Sequence, residues 1–151
     1  MTDFGLIAKG MSQAVPFAGF LNLEITSMAE GEATVLLPDR PELRNHVGSQ
    51  HAGALFTAAE NASGAAFVGA FAERMGDVTP LARSADINYE KIAKGPITAT
   101  ATLGIAKDEA LAALDADGKV EFPCKVLLAD ESGLQVASAT VHWHVRLNKP
   151  A

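Results

Sequence analysis

Glu60 is the only charged residue in the run AGALFTAAENASGAAFVGAFA, from Ala52 to Ala72. Burying an ionised carboxylate costs on the order of several kcal/mol unless it is paired or put to use. A run this rich in small apolar residues belongs in an interior, so Glu60 is either a solvated exception or a functional acid. The residues before it bear on the choice: Asn45, His46, Gly48, His51, Ala52 and Gly53. If a helix starts near His51, its first N–H groups lack intrahelical partners and sit at the positive end of the helix dipole. The amides of Ala52 and Gly53 are then candidate donors to an oxyanion, and the small side chains there let a substrate come close. Glu60 lies over two turns deeper, where burial raises a carboxyl pKa. That suits a general base acting on water, or a direct carboxylate nucleophile. Asn45 can orient the water or the substrate carbonyl. His51 can position the substrate or cap the helix. Each residue also has a plain alternative: Glu60 as half of an ion pair with an arginine across an interface, His51 as a helix-start residue, Asn45 as a turn former.

The elements that must position these groups follow from apolar spacing. Phe4, Ile7, Met11 and Val15 recur at helical intervals over residues 3–15, and Pro16 is expected to end that helix. Leu23–Met28 and Glu32–Leu37 are strand-like and meet at a Glu30-Gly31 turn. The central helix is expected from near His51 to about Arg74, with Ser49 as N-cap and Gly76 as its stop. Gly53, Gly64 and Gly69 each cost about 1 kcal/mol relative to Ala inside a helix, which close approach of sheet backbone would offset. Ala82–Lys91, Pro96–Ile105, Val120–Ala129 and Leu134–Arg146 are expected strands, the last two a hairpin across Glu131-Ser132-Gly133, and Lys107–Leu114 a short exposed helix. One apolar helix followed by a run of antiparallel strands is an α+β layout, within a single domain spanning residues 1–151.

Asn45 lies six positions before His51, and Glu60 nine after it. In this the chain resembles the hotdog-fold acyl-CoA thioesterases, the PaaI-like group above all, in which an Asn or Gln, a His followed by small residues, and an Asp or Glu keep those spacings. His51-Ala52-Gly53 stands where relatives often carry His-Gly-Gly; Ala52 replaces the first Gly and keeps its backbone N–H. The resemblance covers most of the chain. It implies a hotdog fold, a curved antiparallel sheet wrapped around one long helix. It implies hydrolysis of an acyl-CoA thioester to CoA and a carboxylic acid, with no metal or redox cofactor and coenzyme A only as part of the substrate. It further implies a pocket formed between two subunits, hence a homodimer or homotetramer. The segment NYEKIAKG, residues 88–95, resembles the family's strand end, where a basic residue meets coenzyme A phosphates. Lys91 and Lys94 are the candidates, with Arg83 behind them, against the plain reading of a solvated loop. Ser84 and Asp86 are candidates to face a neighbouring subunit's pocket. Two other readings stay open. A hotdog dehydratase acting on 3-hydroxyacyl thioesters pairs a His with a Glu fourteen positions on, as His46 and Glu60 do, although Val47-Gly48-Ser49-Gln50 replaces the expected proline turn. The third reading is a non-catalytic acyl-CoA-binding domain.

Composition narrows the classes further. A net charge of −6 and a pI near 5.1 argue against nucleic acid or an anionic membrane as partner. Cys124 is the sole cysteine, so no disulfide framework exists, and its strand-like surroundings make it a core hydrophobe. His142 and His144 share a strand face with no Cys or acid cluster beside them, which favours a structural role over a zinc site. No basic n-region precedes the first apolar stretch, so a cytoplasmic location is the expectation. The polar residues and the prevalence of Ala in 52–72 favour a buried helix over a membrane span.

Overall fold

In the computed structural model, which describes residues 1–150, the Asp3 carboxylate caps helix α1 (Phe4–Ala14) by accepting from the Leu6 N–H at 3.0 Å. Pro16 ends that helix as expected and also opens a second one, α2 (Pro16–Phe20). At the first helical position a proline's missing N–H has no partner to lose. Strands β1 (Glu24–Ala29) and β2 (Glu32–Leu37) meet at Gly31, whose φ of +75° favours glycine.

The central helix α3 covers Ala52–Phe71 and tightens into 3-10 turns over Ala72–Asp77. Its N-cap is His51, not Ser49. The Ser49 hydroxyl is drawn instead into bonds with the Asn45 amide. Then follow β3 (Val78–Tyr89), β4 (Ile97–Leu103), α4 (Lys107–Asp117), β5 (Lys119–Asp130) and β6 (Gln135–Leu147). The six strands form one antiparallel sheet in the order β1-β2-β4-β5-β6-β3. It curves around α3, so the α+β hotdog architecture is as expected.

Burial alternates along β2, β4, β5 and β6, and the inward residues Val35, Ile97, Ala99, Val126, Leu128 and Val145 are fully buried. They pack on an Ala-rich helix, of whose 20 residues 13 are buried. Small side chains let sheet and helix come close. At Gly69 a Cβ would stand 2.0 Å from the Ala29 carbonyl oxygen, so only glycine fits there. Phe67 and Phe71 stack with Phe122 and Trp143 in the core, whereas Phe17, Phe20 and Phe56 are exposed. Cys124 is fully buried and its thiol is pushed up to about 12 by desolvation, which fits a packing role. No helix among the described residues is long and apolar enough to cross a membrane.

Candidate functional site

The sheet leaves one stripe of α3 uncovered: Phe56, Thr57, Glu60, Gly64 and Val68, spaced three and four apart on one helical face. Glu60 is therefore half-buried, not engulfed. Among the described residues its carboxylate has no hydrogen-bond donor and no cationic partner. Burial alone raises its pKa above the ordinary value of 4.5. It lines a cavity of about 250 Å³ with Met11 and Val15 from the N-terminal segment, Gly64, Phe67 and Val68 from α3, and Pro80 and Trp143 from the sheet. Asn61 lines it too. This residue is only 8% exposed, and among the described residues its side-chain amide has no hydrogen-bond partner. The Trp143 ring is fixed by its Nε1–H donating to Ser63 Oγ at 3.1 Å, and Ser63 in turn donates to the Glu60 carbonyl at 2.7 Å.

At the helix start His51 takes the capping role, one of the two expected of it. The Gly53 N–H donates to His51 Nδ1 at 2.8 Å, so His51 caps the helix and occupies one of the two proposed oxyanion donors. The Ala52 N–H keeps no acceptor among the described residues. With Nδ1 accepting, the neutral ring carries its proton on Nε2, which has no partner there either. His51 and Gly53 line a cavity of about 550 Å³ bounded by Phe17, Phe56 and Tyr89.

Asn45 takes the turn-forming role that is the plain alternative for it. Its Oδ1 accepts from the N–H groups of Val47 at 3.0 Å and Ser49 at 3.1 Å, and its Nδ2 donates to Ser49 Oγ at 2.9 Å and the Gln50 carbonyl at 3.4 Å. Both amide hydrogens are committed to the loop, so Asn45 shapes the helix entry and has no donor left for a water. Two further residues, Gln50 in the loop and Tyr89 at the end of β3, carry no sequence signal. Gln50 is buried and its Nε2 donates to the carbonyls of Pro38 and Gly95, both at 3.0 Å, tying the Lys91–Lys94 loop to the helix start. Tyr89 donates to the Ala52 carbonyl at 3.1 Å and stands between the His51 cavity and a groove lined by Asn45, Ala52 and Lys91.

Lys91 and Lys94 lie on the loop after β3, exposed, with no carboxylate partner among the described residues. Arg83 does not join them. It forms an ion pair with Glu121, which also meets His144 Nδ1 at 2.8 Å, and it lines a separate cleft with Asp117 and Lys119. Those bonds hold Glu121 below the usual carboxylate range. His46 is exposed on the 45–49 turn and does not line the Glu60 cavity, so one chain does not assemble the His46/Glu60 pair of the dehydratase reading. Nor does one chain bring Glu60 to the oxyanion donor. Glu60 lies eight positions after Ala52, about 12 Å along a helix that rises about 1.5 Å per residue. Ser84 and Asp86 are exposed on β3, an edge strand whose residues from Leu81 to Asp86 are all exposed.

Comparison with known proteins places this geometry in context. A Pseudomonas aeruginosa protein of unknown function, PA5026, called a probable thioesterase, is 25% identical, with a TM-score of 0.85 over 97% of both chains. The Escherichia coli PaaI protein from the phenylacetic acid degradation operon is 23% identical, with a TM-score of 0.72 over 96% of this chain and 94% of its own. A thioesterase family protein from Silicibacter pomeroyi is 17% identical, with a TM-score of 0.77 over 97% of this chain and 100% of its own. The latter two likenesses speak to fold alone, and the fold is the hotdog of PaaI and the thioesterase-family proteins. No curated protein matches. The family described as a domain of unknown function, DUF4442, matches residues 5–145, and the chain belongs to it.

Proposed function

We propose that this protein hydrolyses an acyl-CoA thioester, and that its site is shared between two chains. The carrying observation is Glu60: an acid with no partner, partly desolvated, on the one uncovered face of the buried helix and beside an apolar cavity. A purely structural carboxylate there costs stability with nothing to offset it. In the proposed reaction Glu60 takes a proton from water as the water oxygen bonds to the thioester carbonyl carbon. Negative charge on the carbonyl oxygen is met by the Ala52 N–H. Collapse of the intermediate breaks the C–S bond, the thiolate of coenzyme A takes the proton back from Glu60, and a carboxylic acid is left. Water and the thioester are the only reactants.

The span of about 12 Å between Ala52 and Glu60 is too long for both to touch one carbonyl, at about 1.5 Å of rise per residue. The helix start of one chain therefore works with the partner subunit's Glu60. Support for such pairing comes from β3, whose outer edge is unpaired and which carries the exposed Leu81 and Tyr89. Contact with the phosphates of coenzyme A by Lys91 and Lys94 is supported by their exposure and by Lys91 lining the groove beside Ala52, whereas Arg83 is tied to Glu121.

A panel of short, medium and long acyl-CoA thioesters, assayed for free thiol with wild type and Glu60→Gln in parallel, tests the reading. Wild type is expected to turn over at least one class, and Glu60→Gln to lose about 100-fold to 10,000-fold of that rate. Binding of acyl-CoA by both proteins with no turnover by either sinks the hydrolase reading and favours a binding domain.

A further inference from the structure

We propose that the cavity beside Glu60 holds the acyl group of a medium-chain thioester, laid along α3 from Glu60 towards Val68, and that Gly64 makes the room for it. This names the substrate class of the site above and rests on that reading. Two glycines on α3 have opposite reasons. Gly69 is forced, because a Cβ there would meet the Ala29 carbonyl oxygen at 2.0 Å. Gly64 is not forced: a Cβ there would meet only the Trp143 ring, at 3.6 and 3.8 Å, which is ordinary contact. Alanine is the better helix former and occupies many other positions of this helix. Nothing packed within the chain explains the glycine, and the space it leaves belongs to the Glu60 cavity.

The cavity's lining is of two kinds. Glu60 and the unpartnered amide of Asn61 are its polar groups, while Met11, Val15, Phe67 and Trp143 supply apolar wall. That division suits a carbonyl at one end and a hydrocarbon tail at the other. Its size sets the length. The volume is about 250 Å³. A methylene in a packed interior takes roughly 25–30 Å³, so the space takes a tail of roughly eight to ten carbons. Trp143, anchored by Ser63, makes one wall rigid. Met11 and Val15 come from the N-terminal segment and form a wall whose side chains can be trimmed without touching α3.

The experiment compares butanoyl-, octanoyl- and dodecanoyl-CoA hydrolysis by wild type, Gly64→Ala and Met11→Ala, with thermal melts and light scattering for each. Wild type is expected to prefer octanoyl-CoA. Gly64→Ala is expected to melt no lower than wild type, stay in the same oligomeric state, and lose about tenfold in its octanoyl-to-butanoyl ratio of kcat/KM. Met11→Ala is expected to shift preference towards dodecanoyl-CoA. An active wild type with the same chain-length profile in all three proteins overturns the inference and leaves the hydrolase reading standing. A Gly64→Ala protein that changes oligomeric state with its chain-length profile intact also overturns it, since the glycine then accommodates a second copy of the chain. A wild type silent on every thioester overturns the hydrolase reading, and this inference with it.

Discussion

At Glu60 the fold keeps a carboxylate that it neither pairs nor hydrogen-bonds. Desolvation raises its pKa in the folded state above the ordinary 4.5. The folded chain therefore holds this proton at pH values where the unfolded chain has released it. Its contribution to stability is fully present below the unfolded-state value and is lost as pH rises through the folded one. Glu60→Gln, which never ionises, is expected to melt higher than wild type at pH 7–8, with the gap closing as pH falls to about 4. Equal melting temperatures across that range would mean the carboxylate is fully solvated. If Glu60 is the base of the proposed hydrolysis, the same shift is expected to move the acid limb of kcat/KM above the ordinary carboxylate range, because a base works only when ionised. Of these groups Glu60 was legible in the sequence, since a lone charge in an alanine-rich run stands out. Asn61 was not, because an amide beside an acid makes no pattern until a cavity shows what it faces. The roles of His51 and Asn45 were only half legible. Their positions follow from spacing, whereas the bond from the Gly53 N–H to His51 and the loop bonds of Asn45 depend on rotamers.

Among the elements, α3 shows how side-chain size fixes where a helix lies. Gly69 sits under the carbonyl of Ala29 at a distance no Cβ tolerates. Gly69→Ala gains helix propensity, yet must push β1 and α3 apart. Overpacking of this kind costs about 1–3 kcal/mol, so a net loss is expected in urea denaturation. A gain would show that the sheet yields easily there. The long helix, the strands and the hairpin were readable from period alone, with ends shifted by a few residues. The second helix α2 was missed because Pro16 reads equally as a stop and as a start. The helix N-cap was misplaced by two residues because Ser49 is the better capping type, and only the loop fold shows its hydroxyl engaged with Asn45. Arg83 was grouped with the lysines by type. Its partner Glu121 lies 38 residues on, and what joins them is the register of β3 with β6 and β6 with β5.

For the molecule as a whole, β3 is an edge strand, bonded to β6 on one side and unpaired on the other. An unpaired edge strand of 12 residues with exposed Leu81 and Tyr89 is a template for joining another chain. Wild type is expected to sediment as a dimer or tetramer. Leu81→Lys with Ala85→Lys, which charges that edge, is expected to give a folded monomer that has lost most of its turnover. A fully active monomer would show that one chain suffices. The distance along α3 from Ala52 to Glu60 then has a kinetic meaning. A catalyst completed only by pairing works per complex and not per polypeptide. Diluted below its dissociation constant, its velocity should fall with the square of protein concentration, and wild type mixed with excess Glu60→Gln should form hybrids that keep one working centre out of two.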